Sequence, residues 1–180
     1  MQEISWKSNY MDCKVVSDFW GGESLAFFVQ TTIFLLTAIA GFWALYSNSK
    51  MSRLRATIDL NMQERHNLEF NKHRIVLSDL TKSPDKLVDY AAADLDEASR
   101  EQARSILEVL NNYEFAAVGI KQKAFCEKTY KDMKESLVIR DWSLLSSFVV
   151  RARQNKGQPT FCEHFEALAK KWVKEKSKKK

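Results

Sequence analysis

The apolar positions of this chain change spacing at a few sharp boundaries, and those boundaries predict its elements. From Leu25 to Tyr46 the run LAFFVQTTIFLLTAIAGFWALY holds 22 residues without a charge, inside an uncharged window from Ser24 to Ser49 that is closed by Glu23 and Lys50. As a helix the run would be about 33 Å long, against a hydrocarbon core of roughly 30 Å. Gln30, Thr31, Thr32 and Thr37 are its polar members, and a threonine hydroxyl can bond back to the preceding turn. Trp20 before the run and Trp43 and Tyr46 near its end are amphipathic rings suited to a membrane interface. A secretory signal needs a basic stretch directly before a shorter apolar run, and here the preceding residues are acidic. A soluble helix buries one stripe and has no need of an apolar surface all round. The pattern predicts a permanent transmembrane helix over residues 24–49.

Beyond Lys50 the pattern becomes amphipathic. Lys50 to about Asp79 reads as one helix in which Leu54, Ile58 and Met62 form a short apolar stripe that fades into NMQERHNLEFNKHR, polar on nearly every face; no coiled-coil heptad is sustained. This predicts a stalk over residues 50–82 that docks only partly on the domain beyond it. Ser83 and Pro84 then predict a helix start, with Leu87, Val88 and Tyr90 in the helix that follows. After the acidic patch from Asp94 to Glu97, Ala103, Ile106, Leu110, Tyr113, Ala117 and Ile120 recur at steps of three and four, the spacing of one buried helical face. Val138, Trp142, Leu145 and Val149 repeat it. Gly157-Gln158-Pro159 interrupts the chain, Thr160 to Glu163 has the spacing of a capping box, and Phe161, Phe165, Leu168 and Trp172 line the last helix. The expected bundle spans residues 83–173, and a lysine-rich tail, residues 174–180, frays into solvent after Trp172.

Charge adds an orientation. The arm, residues 1–23, carries two lysines against four carboxylates, whereas Lys50, Arg53 and Arg55 follow the span directly; residues 50–180 hold 26 Lys plus Arg and 19 Asp plus Glu, a net +7 within a total of +5. Basic residues beside a span are retained in the cytoplasm, which places the arm outside and residues 50–180 on the cytoplasmic side. Cys13 would stand alone outside, and Cys126 and Cys162 in a reducing compartment, so no disulfide framework is implied. Five glycines and two prolines in the whole chain, with long runs of helix formers, argue against a β-rich fold.

The segments NNYEFAAVGIKQKAF, VVRARQ at the end of the Trp142 to Arg153 helix, FCEHFEALAKKW, and RATIDL after the span resemble a bacterial family of single-span membrane proteins, domain-of-unknown-function family 4760. The likeness covers roughly Leu25 to Trp172. It implies an amino-terminal anchor and a helical cytosolic domain, with no established reaction; members in prophage or mobile-element settings suggest phage exclusion or defence.

Candidate chemistry is sparse. His66, Glu69 and His73 at i, i+3 and i+7 would share a face of an unbroken helix and offer imidazole and carboxylate to zinc or iron, though no second ligand-bearing helix and no HExxH pattern accompanies them. Cys162 and His164, with Cys126 far away in sequence, do not have zinc-finger spacing. There is no GxSxG, Walker loop or GxGxxG, so neither a catalytic role nor a cofactor is expected. Tyr113 and Glu114, with Arg151 and Arg153, lie in or beside the two core stripes and suit a buried ion pair or a small recognition site. Thr37 and Gly41, and Ala40 and Ala44, put small residues at spacings of four, which would let two spans pack closely. The seven lysines from Lys170 onward would serve solubility first, then an anionic lipid surface; no recognition helix points to specific nucleic acid.

The expected protein is all-α: a single transmembrane helix followed by a cytosolic helical bundle. Its expected partners are the lipid bilayer, a second copy through the span, and a cytosolic protein. Two other functions remain open, a membrane-disrupting abortive-infection effector using the Gln30 and threonine face, and a membrane-tethered metal-dependent enzyme using His66, Glu69 and His73.

Overall fold

The computed structural model describes residues 25–83, 87–92 and 94–178. Among these the elements are α1 (Leu25–His66), α2 (Leu68–Leu80), a 3-10 turn at Asp89–Ala91, α3 (Glu97–Lys121), α4 (Glu127–Lys156) and α5 (Glu163–Ser177), with no strand. The fold is all-α, as the periodicities require. The arm with Cys13 and Trp20, the Pro84 helix start and the last two lysines lie outside the described residues. By packing, the chain divides into two compact units between Asn48 and Ser49.

In the first unit every described residue of α1 is exposed, including Phe34, Leu36, Phe42 and Trp43. This helix is long and apolar enough to cross a membrane. Thr32 and Thr37 donate their hydroxyls to the carbonyls of Phe28 and Ile33, each at 2.8 Å, so their polar atoms are satisfied within the helix itself. Gly41 has open space around the position of a Cβ.

In the second unit the continuation of α1 is a packed core element. Thr57, Leu60, Asn61 and Glu64, at steps of three and four, are its buried face. The single helix expected from Lys50 to Asp79 is two helices, because Asn67 leaves helical geometry (φ −76°, ψ 101°) and caps α2, its Oδ1 accepting from the Phe70 amide at 3.0 Å. Leu77 and Leu60 belong to the common core, so this segment docks more fully than its polar sequence suggests. The next region, expected to be helical through Leu87, Val88 and Tyr90, is reduced to the 3-10 turn, although Leu87 is fully buried.

α3 begins at Asp96, whose carboxylate accepts the Ser99 amide; those bonds hold its pKa below the ordinary value. Its expected stripe is buried from Ala103 to Ala117, with Ile120 at the margin. At its end Gly119 accepts the amides of Ala124 (2.8 Å) and Phe125 (3.1 Å), and Lys123 takes the left-handed conformation. A Cβ at Gly119 would lie 2.2 Å from the Phe125 ring, so only glycine allows this turn to close as it does. α4 buries Val138, Leu145 and Val149 with Trp142 partly covered, and ends at Gly157, also left-handed. α5 packs against α3 and α4 through Phe165, Leu168, Ala169 and Trp172. The Phe165 ring stacks on Tyr113 at 4.6 Å and meets Trp142 edge-on at 5.3 Å.

Two expectations for this last helix are corrected. The Thr160 to Glu163 capping box does not form: Cys162 occupies the cap position with φ 57°, and the Thr160 carbonyl accepts the Glu163 amide. Nor does the helix fray after Trp172; it continues to Ser177, supported by Lys131 bonded to Glu175 across the α4–α5 interface.

Candidate functional site

Three polar assemblies of the bundle tie helices that are distant in sequence. The first lies at the amino-terminal end of α5. Glu114, on α3 next to the buried Tyr113, takes the place of a capping residue: its two oxygens accept the His164 amide at 3.2 Å and the Phe165 amide at 2.8 Å. A carboxylate here satisfies orphan amides and complements the helix dipole. The His164 ring bridges Glu114 through Nδ1 and Lys121 through Nε2, each at 2.8 Å. Since the lysine ammonium only donates, neutral His164 carries its proton on Nδ1 and accepts at Nε2. Arg153 of α4 donates Nε to the Phe161 carbonyl at 2.9 Å and sets Nη2 2.8 Å from Glu166, an ionic contact whose N–H is not aimed for a hydrogen bond.

The second assembly is buried between α1, α3 and α4. Glu64 accepts from Asn112 at 2.8 Å and from Lys134 at 2.6 Å, and both charged side chains are nearly enclosed.

The third lines a cleft of about 400 Å³ between α2 and α4. Asp141, 2% exposed, holds its centre. Its Oδ2 accepts from Tyr113 Oη at 2.6 Å and from Arg74 Nη1 at 3.0 Å, and its Oδ1 accepts from Arg140 Nε at 2.9 Å and Nη2 at 2.8 Å. Arg74 Nη1 also donates to Tyr113 Oη at 2.7 Å. Burial and then the adjacent carboxylate push the Tyr113 phenol far above its ordinary pKa, so it stays a donor throughout the physiological range. Arg74 sits at the wall with its side chain 23% exposed, and Arg140 at the rim with 62%.

The residues singled out in the sequence are therefore distributed. Tyr113 enters the cleft assembly, Glu114 and Arg153 the α5 junction, and Arg151 neither: it is exposed on α4 beside a shallow groove with Val88 and Val150. No Tyr113 or Glu114 pairing with either arginine forms. His66, Glu69 and His73 do not share a face, because the break at Asn67 separates His66 from α2; His73 turns to Ser105 at 3.0 Å. Among the described residues no three His, Cys, Asp or Glu side chains converge as metal ligands. Cys162 is buried near Glu114, and burial followed by that carboxylate pushes its thiol up to about 12, whereas bonds from Thr129 hold the more exposed Cys126 below its ordinary value. Thr37, Ala40, Gly41 and Ala44 are all exposed on α1.

Sequence reasoning missed Arg74, Arg140 and Asp141. Arg74 lies in a stretch polar on all sides, and Asp141 interrupts no apolar period, since it falls between the stripe residues Val138 and Trp142. Their only signal was a carboxylate beside a predicted core face.

Fold and sites together define an all-α protein that carries, among the described residues, one helix long and apolar enough to cross a membrane, and a separately packed bundle with polar groups bonded across its helices. The family model described as Domain of unknown function (DUF4760) matches residues 31–172, and the chain belongs to that family. No match was found among curated proteins or solved structures. The segments that carried the resemblance, NNYEF, VVRARQ and FCEHF, meet at the α5 junction, where they supply Glu114, Arg153 and His164.

Proposed function

We propose that this protein is a single-pass inner-membrane anchor, amino terminus outside, whose residues from Lys50 onward form a cytoplasmic interaction domain serving phage exclusion or defence. The observation that carries it is the contrast within α1: from Leu25 to Ser52 nothing is covered, though the surface to Tyr46 is rich in large apolar side chains, while from Thr57 onward the same helix is part of a core. An apolar helix left uncovered by its own protein is stable only in lipid or against another apolar surface. The three basic residues that follow favour a cytoplasmic bundle. An interaction role is supported by the way the polar groups of each assembly tie the helices into one packed unit. Of the residues that would line a pore, Thr32 and Thr37 already bond to their own helix, which leaves the effector alternative with Gln30 and Thr31 as its remaining polar surface.

Carbonate extraction and paired reporter fusions test this. The full chain is expected to remain with membranes at high pH, with a carboxyl-terminal fluorescent fusion active and a phosphatase fusion at the same end inactive. Release into the supernatant would overturn the anchor; an active carboxyl-terminal phosphatase would overturn the orientation. Expression in a phage-sensitive host is expected to reduce plating of some phages, and unchanged plating across a broad panel would remove the defence setting.

A further inference from the structure

The cleft between α2 and α4 has an imbalance that its own assembly does not use up. A carboxylate offers about four lone-pair positions. All four of Asp141's are taken, two by Arg140, one by Arg74 and one by Tyr113. The donors are not exhausted in the same way. The hydrogen bonds of Arg74 leave through Nη1 alone, so its Nε and Nη2 make none among the described residues; Arg140 likewise retains Nη1. Ser78, which lines the same cleft, makes no hydrogen bond through its hydroxyl among those residues, since only its carbonyl serves, accepting from Thr81. Asn71 turns its amide N–H to the Arg65 carbonyl, leaving one neutral acceptor. Two guanidinium groups against one carboxylate give the cleft a charge of +1, with N–H and O–H groups arriving from both walls.

We propose that this cleft binds a phosphate group borne on a small molecule. Surplus donors with a saturated carboxylate select an anion and leave no free negative charge to hold a cation. Donors from two helices suit a tetrahedral oxyanion, whereas one guanidinium fork would suffice for a planar carboxylate. A volume of about 400 Å³ admits a compact ligand, within the range of small-molecule sites. Buried Leu77 and the exposed Ile75 add an apolar surface for the body that carries the phosphate. The anchoring network fixes Arg74 before any ligand arrives: it is held by the buried Asp141 and Tyr113, which reduces the ordering needed on binding. The same chemistry is offered by a soluble phosphomonoester and by the headgroup of phosphatidic acid. The site is independent of which side of a membrane the bundle faces.

Calorimetric titration of the full chain in uncharged maltoside micelles separates these sources, using glycerol 3-phosphate as the free phosphomonoester and short-chain phosphatidic acid as the lipid. Saturable binding is expected for at least one at millimolar concentration or below, undisturbed by equimolar acetate. Arg140→Gln is expected to weaken it about tenfold, because a charged hydrogen bond is lost from a half-exposed residue. Ser78→Ala, on the exposed side of α2, should weaken it about two- to fivefold with helicity unchanged. Binding of glycerol 3-phosphate with these losses identifies a soluble ligand; binding of phosphatidic acid alone with the same losses identifies a lipid headgroup. Two results would overturn the proposal: no saturable binding of either probe up to about 10 mM, or equal binding by wild type, Arg140→Gln and Ser78→Ala.

Discussion

The two halves of α1 are one continuous helix by hydrogen bonding and two different materials by composition. Residues 25–48 carry Leu, Ile, Phe and Trp around the whole circumference and bury none of them, while Thr57, Leu60, Asn61 and Glu64 form a narrow face that is almost entirely buried. The more apolar half is thus the uncovered one. Helical geometry is indifferent to this, because the backbone bonds are made within the segment in either solvent; what differs is where the side chains find partners. In the first half none of them is covered, and the Thr32 and Thr37 hydroxyls return to carbonyls of the preceding turn. In the second, Thr57 donates to Arg53 at 2.7 Å and also accepts the Cys126 amide at 2.8 Å, a contact 69 residues away in sequence.

The largest test of this contrast is charge. Leu35→Arg with Leu36→Arg should abolish carbonate-resistant membrane association, since each arginine at a helix centre costs about 2.5–3.5 kcal/mol on insertion. Ile58→Arg, on the exposed side of the second half, should leave association unchanged. Equal extraction of both variants would erase the distinction.

Next comes the buried face. Glu64→Ala leaves Lys134 nearly enclosed and without its carboxylate, and Asn112 without its acceptor. Such a removal costs about 3–5 kcal/mol, read as a large drop in the thermal midpoint of the detergent-solubilised chain. A shift of only a degree or two would mean that this end of α1 is not part of the cooperative unit.

A finer comparison uses one residue type in both halves. Thr57→Val deprives the Cys126 amide of its acceptor and should destabilise the bundle by about 1–2 kcal/mol, while Thr37→Val removes a bond internal to an exposed helix and should change stability by less than about 0.5 kcal/mol. Parallel melts decide it, and equal effects would contradict the packing of Thr57.

The smallest effect is acid sensitivity. Glu166, bonded to Lys170 and then paired with Arg153, has a pKa held below its ordinary 4.5, and Glu175 is lowered by Lys131 in the same way. A folded pKa below the unfolded one means that the stabilisation is complete above the ordinary value and is lost as pH falls through the lowered one. The thermal midpoint should therefore fall as pH drops below about 4.5, and by less in Glu166→Gln. The uncharged first half should add nothing to this slope.

Much of the fold was legible from spacing. The stripes Ala103 to Ala117, Val138 to Val149 and Phe165 to Trp172 are buried as their periods require, and the uncharged run is the exposed helix. Boundaries were less legible where a distant residue supplied the cap. Thr160 had the right spacing for a capping box, but the helix starts later and Glu114, near in space and far in sequence, accepts the His164 and Phe165 amides instead. Asn67 was hidden for another reason: it lies inside a long polar stretch with no glycine or proline to mark a break, and its side chain caps α2.

Periodicity and composition alone determined the helical class, the apolar helix and the faces that form the core, because burial of a stripe every 3.6 residues leaves a local signature. Only the tertiary structure decided which polar residues meet. Arg74, Tyr113 and the adjacent pair Arg140 and Asp141 come from three helices, and nothing in the sequence around that pair announces Arg74 or Tyr113. A buried charge is tolerated only where packing brings a counter-charge and enough donors to it, and that condition is set by the arrangement of helices.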